Sequence, residues 1–318
     1  MRVPKGLIAA IRKEPVFLLA THINPDGDAL GSCLALAEAL KSLGKTVFVY
    51  DRDPVPEQYQ FMPGARRFRT TIGRISSTKP FLVLLDCNSP ERAAVEESFF
   101  NKSAVIDHHE TETDFGDIRW IVPEAAATGL MVFHLIKALR IAVTKAMATN
   151  LYIALAVDTG TFRYSNTGPD VLRAGAELIE AGAAPGTIAE HLYEQWKKNR
   201  FDLLTLSLRT LEIEDRMALM CVTQDMFSKT ATGEADTENF ANLPRMIDSV
   251  LISALIRQVD NGRWKVSMRS KGQVNVAKIA EVFGGGGHRN AAGFRIKADL
   301  EDVKKAILKS GRGILSKL

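Results

Sequence analysis

Through roughly its first 160 residues the chain alternates short apolar runs with stretches of helical periodicity. That alternation commits it to an α/β fold, a mostly parallel sheet covered by helices. The runs 16–20, 46–50, 81–86 and 104–107 read as strands. Between the first two, Leu30, Leu34, Ala37 and Leu40 fall near helical spacing within 28–43, and Gly44 follows as a stop signal. Further helices are expected over 128–140 and 149–157. Residues 187–215 are helical in pattern, charged and almost free of glycine. The remainder has apolar stretches at 217–222, 250–259 and 264–268, a helical pattern at 274–283, a strand at 294–296 and a helix at 300–308. With 318 residues, two domains are expected: a catalytic domain over 1–186, a helical linker over 187–215 and a smaller α/β domain over 216–318. Residues 230–237 read as a mobile surface loop.

Composition matters here for what it excludes. A chain with 46% hydrophobic and 25% charged residues is globular rather than disordered. No run approaches the ~18–20 uncharged apolar residues of a bilayer span. The N-terminal MRVPKGLIAAIRKEPVF carries charges and no small-residue cleavage site, so the cytoplasm is the expected location. Cys33, Cys87 and Cys221 are odd in number and far apart, which rules out a disulfide framework or a CxxC motif and leaves small buried hydrophobes. The net charge of +4 is unevenly spread: residues 1–215 hold 24 basic and 27 acidic side chains, residues 216–318 hold 17 and 10. An acidic first part and a basic second part suit a carboxylate-rich metal site opposite a clamp for an anionic substrate; unequal surfaces of two ordinary domains would look the same.

Four polar clusters terminate the apolar elements. His22-Ile23-Asn24-Pro25-Asp26-Gly27-Asp28 follows the first strand and puts an imidazole and two carboxylates at its carboxyl end, the usual ligand edge of an open α/β sheet. Residue by residue, Asp28 as a helix N-cap and His22 as a bonded core histidine would explain them too. Asp86 ends the run Phe81-Leu82-Val83-Leu84-Leu85, where a turn role is the alternative. Asp107-His108-His109 closes the next strand; neighbours on an extended segment face opposite ways, so one histidine can ligate while the other faces elsewhere. Asp158 ends the uncharged run 151–157, where an ionised carboxylate is costly unless paired or metal-bound.

Together His22, Asp26, Asp28, Asp86, His108 and Asp158 are four carboxylates and two imidazoles, too much negative charge for one pocket without cations. Six such groups match a site for two divalent ions with a bridging carboxylate. Oxygen and imidazole donors without thiolate favour Mn²⁺, with Co²⁺, Fe²⁺ or Mg²⁺ as competitors, over structural zinc.

The stretches HINPDGDALGS, LDCN, DHH and AVDTGTFRYSNT resemble, in this order, the motifs of the DHH phosphoesterase superfamily, and GGGGHRNAAGF is similar to the signature of its DHH-associated C-terminal domain. The resemblance runs from His22 to Phe294. Length and two-domain plan most resemble the NrnA type, bifunctional oligoribonucleases and phosphatases of pAp (3'-phosphoadenosine 5'-phosphate). It implies that His22 and Asp26 hold one metal, that Asp28, His108 and Asp158 hold a second, and that Asp86 bridges. His109 would face the substrate phosphate as hydrogen-bond donor or general acid. No motif position departs from the pattern.

For substrate capture the candidates are Gly285, Gly286, Gly287, His288 and Arg289. There, absent side chains let backbone N–H groups approach an anion and two cationic side chains add directional donors. Arg269 and Ser270 at a strand end, and Arg163 and Asn166 after Asp158, are further candidates. A clamp on a separate domain limits what fits to a short RNA or a small bisphosphorylated nucleotide. Relatives of RecJ type are longer, the membrane-anchored cyclic-dinucleotide phosphodiesterases carry spans absent here, and GGGGHRNAAGF speaks against a family II pyrophosphatase. A cyclic or linear dinucleotide remains an alternative substrate, and a non-catalytic nucleotide-binding module is the alternative of another class. Nothing in the sequence calls for an obligate protein partner, and a homodimer is compatible with it.

Overall fold

Each of the four apolar runs of the first region is a strand, and the helical stretches between and after them cover the sheet. The computed structural model describes residues 1–73, 79–109 and 113–316, and of His288 the backbone alone. The chain divides into two compact units, Met1–Gln195 and Trp196–Leu318.

The first unit contains α1 (Lys5–Lys13), β1 (Val16–Ala20), α2 (Gly27–Ser42), β2 (Thr46–Tyr50), β3 (Phe68–Arg69), β4 (Phe81–Leu85), β5 (Lys102–Asp107), β6 (Ile118–Ile121), α3 (Thr128–Ala138), α4 (Lys145–Asp158), α5 (Pro169–Glu180) and α6 (Pro185–Tyr193). Its six strands are all parallel, in the order β3-β2-β1-β4-β5-β6. The order reverses between β1 and β4, and a doubly wound sheet opens its ligand crevice at the carboxyl ends of the strands at such a point. Buried on both faces, β4 reads as one continuous apolar run.

Helix α2 is buried almost all round, so it is a core helix rather than a surface one. It packs on α4 through glycine: a Cβ on Gly31 would overlap the Asn150 carbonyl, and one on Gly27 would lie 2.6 Å from Val157 Cγ2. A Cβ on Gly129 of α3 would lie 2.5 Å from Ala154 Cβ. The three helices that carry or flank the polar clusters are thereby drawn together. The pattern reading did not anticipate α1, α5, β3 or β6; β3 has only two residues, and α1 buries only Leu7 and Ile11. Helix α4 begins earlier than expected because Thr144 caps it, its hydroxyl accepting from Met147 N–H.

The second unit contains α7 (Lys198–Leu208), β7 (Glu212–Glu214), β8 (Met217–Val222), α8 (Gln224–Thr230), β9 (Ile252–Asp260), β10 (Arg263–Ser270), α9 (Ala277–Val282), β11 (Gly286–His288), β12 (Ala291–Lys297) and α10 (Leu300–Leu315). Its sheet runs β11-β12-β10-β9-β8-β7, with β8 and β9 parallel and the other pairs antiparallel. Trp264, Val266, Met268 and Phe294 pack one face against Ile279, Val303 and Ile307 of α9 and α10. On the other face Leu203, Phe227 and Phe240 cover Met220 and Leu255 of β8 and β9.

Helices α6 and α7, which span most of the stretch expected to join the domains, fall one in each unit. Residues 230–237, expected as a loop, close α8 and form a 3-10 turn at Glu234–Thr237. The glycine run 284–287 is in part the edge strand β11. A Cβ on Gly285 would overlap the Gly293 carbonyl and one on Gly287 would lie 2.5 Å from Ala291 O, so only glycine lets this segment lie against β12. Among the described residues no helix is long and apolar enough to cross a membrane.

Candidate metal centre

The carboxyl ends of β1, β4 and β5 and the end of α4 bring the four polar clusters to one place. Three groups of ligand atoms each lie within 4.8 Å: His22, Asp26 and Asp86; Asp28, His108 and Asp158; and Asp86, His108 and His109. Asp86 is common to two of them. Its carboxylate lies 3.4 Å from His22 Nε2 through Oδ2 and 3.4 Å from His108 Nε2 through Oδ1. His108 Nε2 also lies 3.1 Å from Asp158 Oδ2 and 3.8 Å from Asp28 Oδ2.

Both histidines are oriented from behind by the backbone. Nδ1 of His22 is 3.0 Å from the Ile23 carbonyl and Nδ1 of His108 is 3.0 Å from the Ala125 carbonyl. A carbonyl accepts only, so each Nδ1 donates to it and each Nε2 is the nitrogen turned toward the carboxylates, the orientation typical of metal-bound histidine.

The two carboxylates of the first cluster divide their work differently from the capping alternative. Asp26 is the N-cap of α2, its Oδ1 accepting from Asp28 N–H and Ala29 N–H, both at 3.0 Å. Asp28 is fully buried and caps a different helix: its oxygens accept from Thr128 N–H at 2.6 Å, Gly129 N–H at 2.8 Å and Ser32 Oγ at 3.0 Å. The start of α3 is thus pinned to α2 by the same carboxylate that faces His108.

Charge balance follows from burial. Burial, then the charges of Asp86 and Asp158, push Asp26 up to about 6 and raise Asp28 as well. Burial works against protonated histidine, but the Asp86 hydrogen bond and charge outweigh it at His22, which rises to about 9. For His108, bonds to Asp158 and Asp86 overcome burial and carry it to about 12. Asp86 goes the other way: despite burial, His108 and His22 hold its carboxyl well below the usual range. Carboxylates this crowded call for cations, and oxygen and imidazole donors without thiolate fit divalent ions of hard to borderline character. The three cysteines are free and buried.

His109 and His108 do not face apart as an extended segment would have them. The strand stops at Asp107, the rings stand edge to face with centroids 5.1 Å apart, and His109 Nδ1 comes within 3.6 Å of Asp86 Oδ1. Asp107, fully buried, lies 2.6 Å from His109 Nδ1 and orients the ring.

Of the other polar groups at this edge, only Asn166 was a candidate from the sequence. Asp51 ends β2 as Asp86 ends β4; it is 1% exposed, Oδ1 accepts from Asp53 N–H at 2.7 Å, and Oδ2 is buried without a hydrogen bond. Asp53 in turn accepts from Asn24 N–H at 2.8 Å and so holds the loop between His22 and Asp26. Thr128 Oγ1 donates to Asp86 at 3.0 Å, and Asn166 Nδ2 ties the carbonyls of Ala126 and Asp158. For Asp51 the signal was present, an apolar run ending in aspartate; for Asp53 and Thr128 only the folded geometry reveals it.

Arg163 is exposed, and its ε N–H donates to the Gly160 carbonyl at 2.7 Å. In the second unit Arg289 donates to Gln273 Oε1 at 2.6 Å, and Arg269 donates to the Met268 carbonyl at 2.9 Å. Ser270, expected as a substrate contact, is buried instead: its hydroxyl donates to the Val274 carbonyl at 2.7 Å and accepts from Asn290 Nδ2 at 2.9 Å, so it shapes the turn that carries Arg289. The side chain of His288 lies outside the described residues.

Known proteins bear on this arrangement directly. Residues 16–155 match the DHH family, N-terminal domain, and residues 221–316 match the DHHA1 domain. The chain is 34% identical over 321 residues to the bifunctional oligoribonuclease and PAP phosphatase NrnA of Thermus thermophilus, covering 100% of this chain and 95% of that protein. It is 25% identical to the NrnA of Bacillus subtilis, over 94% and 98% of the two chains. An exopolyphosphatase-related protein from Bacteroides fragilis has the same fold, with TM-score 0.89, 26% identity and coverage of 97% and 95%. Identity of 34% over the whole length, together with both domain matches, makes this chain a member of the DHH family carrying a DHHA1 domain.

Proposed function

We propose that this chain is a phosphoesterase that hydrolyses short oligoribonucleotides to mononucleotides and removes phosphate from pAp, acting in the cytoplasm with two divalent cations, Mn²⁺ preferred. The observation that carries the reading is that the groups His22–Asp26–Asp86 and Asp28–His108–Asp158 adjoin, with Asp86 Oδ1 of the first 3.4 Å from His108 Nε2 of the second. His22, Asp26 and Asp86 would hold one ion, and Asp28, His108, Asp158 and Asp86 the other. Bound there, the ions supply a water acidified toward neutral pH and offset charge gathering on the phosphoryl oxygens. The relatives named NrnA support the substrate class.

The protein's own residues then orient and exchange protons. His109, steadied by Asp107 at Nδ1, is assigned to the phosphate, donating a hydrogen bond or a proton to the leaving oxygen as the P–O ester bond breaks and the water oxygen joins phosphorus. Asp53, through Asn24 N–H, keeps the His22–Asp26 loop in place. The segment Gly285-Gly286-Gly287-His288-Arg289, with Arg269 beside it, is assigned to the terminal phosphate; Arg163 is assigned a lesser contact. Three free, buried cysteines suit a reducing compartment.

The test is a time course on 5'-labelled RNA dimers to pentamers, a long RNA, pAp, and linear and cyclic dinucleotides, with Mn²⁺ or chelator. Short RNAs and pAp should be cut only with metal and the long RNA should lag; turnover of a dinucleotide alone would overturn the substrate assignment. Asp86→Asn should lose at least ~10³-fold in turnover, because one carboxylate serves both ligand groups. An Asp86→Asn protein with full activity would sink the two-metal reading.

A further inference from the structure

One short segment, 125–129, backs nearly every ligand around the second ion. His108 Nδ1 donates to the Ala125 carbonyl, Thr128 Oγ1 donates to Asp86, and the N–H groups of Thr128 and Gly129 donate to Asp28. Asp158 is the exception. Among the described residues its carboxylate is paired with His108 alone, and no hydrogen bond from 125–129 reaches it. The link is made from the other side by Asn166, whose Nδ2 donates to the Ala126 carbonyl and to the Asp158 carbonyl, both at 3.1 Å. Carbonyls only accept, so the two partners fix which way the amide faces and engage both of its N–H groups. Asn166 is exposed, yet its donors are already committed to the backbone, and its remaining oxygen would repel a phosphate.

Bringing Asn166 back to Asp158 strains the backbone between them. Gly160, Thr161 and Phe162 stand in the left-handed region in succession, at φ 56°, 59° and 60°, a genuine outlier for a β-branched threonine. Such a turn persists only where its surroundings over-determine it, and here they do. Thr161 N–H donates to the Ala156 carbonyl, Thr159 Oγ1 accepts from Phe162 N–H at 2.9 Å, and Arg163 Nε donates to the Gly160 carbonyl at 2.7 Å. From α6, the Tyr193 hydroxyl meets Thr161 Oγ1 at 2.7 Å. The turn folds the chain back onto the end of α4, and that return sets the Asn166 amide against the carbonyl of the ligand Asp158. Strain next to a ligand, held by this many bonds, marks a segment whose geometry matters to the site.

We propose that Asn166 is a positioning residue for the second ion. By tying Ala126 to Asp158 it fixes the end of α4 relative to the segment that orients His108, and so sets the spacing of the Asp28–His108–Asp158 group. This role rests on the two-ion phosphoesterase reading and adds to it a residue outside the ligand groups that governs one ion and not the other. Among the described residues Asn166 makes no bond to the His22–Asp26 loop, so the first ion is held without it.

The test compares the full-length parent with Asn166→Ala and Asn166→Asp; aspartate matches asparagine in size but, ionised, has no donor and repels both carbonyls. Calorimetric titration with Mn²⁺ alone reads the affinity of each ion, and thermal unfolding in chelator checks the fold. Losing an outer hydrogen-bond partner costs a metal site about 10–100-fold in affinity, so one ion should bind that much more weakly in both variants while the other stays within twofold. At saturating Mn²⁺ the KM for pAp should stay within twofold, because Asn166 has no donor to give the substrate. Both ions weakened equally, or neither, overturns the proposal. So does an unchanged titration with the KM for pAp raised tenfold, which would make Asn166 a substrate contact. Should Asn166→Asp not fold, Asn166→Ala must still show the one-sided loss. A parent that binds a single ion overturns the two-ion reading and this role together. A parent that binds two ions yet cuts neither pAp nor short RNA would sink the phosphoesterase reading and leave the tie standing.

Discussion

At the scale of single residues, position at a strand end decides what a carboxylate can do. Asp86 takes a left-handed backbone at φ 56°, a conformation aspartate tolerates better than most residues, and its N–H donates to the Ile106 carbonyl. The bend brings one carboxylate within reach of three imidazoles. Asp51, at the equivalent end of β2, is hydrogen-bonded to no imidazole among the described residues, and burial raises it from 3.8 to about 7 against the pull of the Asp53 N–H and of His22. Its folded pKa thus exceeds its unfolded one. As pH rises from about 4 the unfolded chain releases this proton and the folded chain does not, so Asp51 costs stability increasingly up to about pH 7 and constantly above. Asp51→Asn, which keeps an acceptor for Asp53 N–H, should therefore stabilise the metal-free protein by a few kcal/mol at pH 8, at ~1.4 kcal/mol per pKa unit, and by little at pH 4. Denaturant unfolding of both proteins at the two pH values checks it; an equal gain at both would contradict it.

At the scale of elements, the centre depends on how closely α2, α3 and α4 approach. Gly31 sits where any side chain would meet the Asn150 backbone, which cannot move as a flexible side chain could. Gly31→Ala should cost about 1–3 kcal/mol by overpacking and weaken metal binding, because Asp28 lies one turn earlier on the same helix and Asp158 ends α4. Calorimetric titration with Mn²⁺ and urea unfolding read the two effects. Stability and metal affinity both within error of the parent would show that the contact is not tight. The capping of α3 by Asp28 belongs to the same scale: one carboxylate links two helices and faces the ligand groups, so packing and charge are inseparable there.

At the scale of the whole molecule, all six candidate metal ligands belong to one unit. Chelation should lower the melting temperature of the first unit and leave that of the second unchanged. Saturation at 100 times Kd is worth about 2.7 kcal/mol, or roughly 5–10 °C for a unit of this size. Scanning calorimetry with and without Mn²⁺ reads it, and an equal shift of both transitions would show that ions bind both units. Much of this was legible in the sequence. Apolar runs and helical spacing are local patterns, so the strands, α2 and the four polar clusters could be placed without coordinates. The glycine run could be read as a close approach to an anion, but that it closes on β12 as an edge strand could not. Nor could the pinning of α3 by Asp28, the reach of both His108 and His109 to Asp86, the burial of Ser270, or the tie that Asn166 makes between Ala126 and Asp158. These depend on strand order and register, which juxtapose residues tens of positions apart. The sequence alone determined which residues stand at the ends of which elements. Only the tertiary structure decided which of those ends meet, because contact between distant segments is set by packing the whole core.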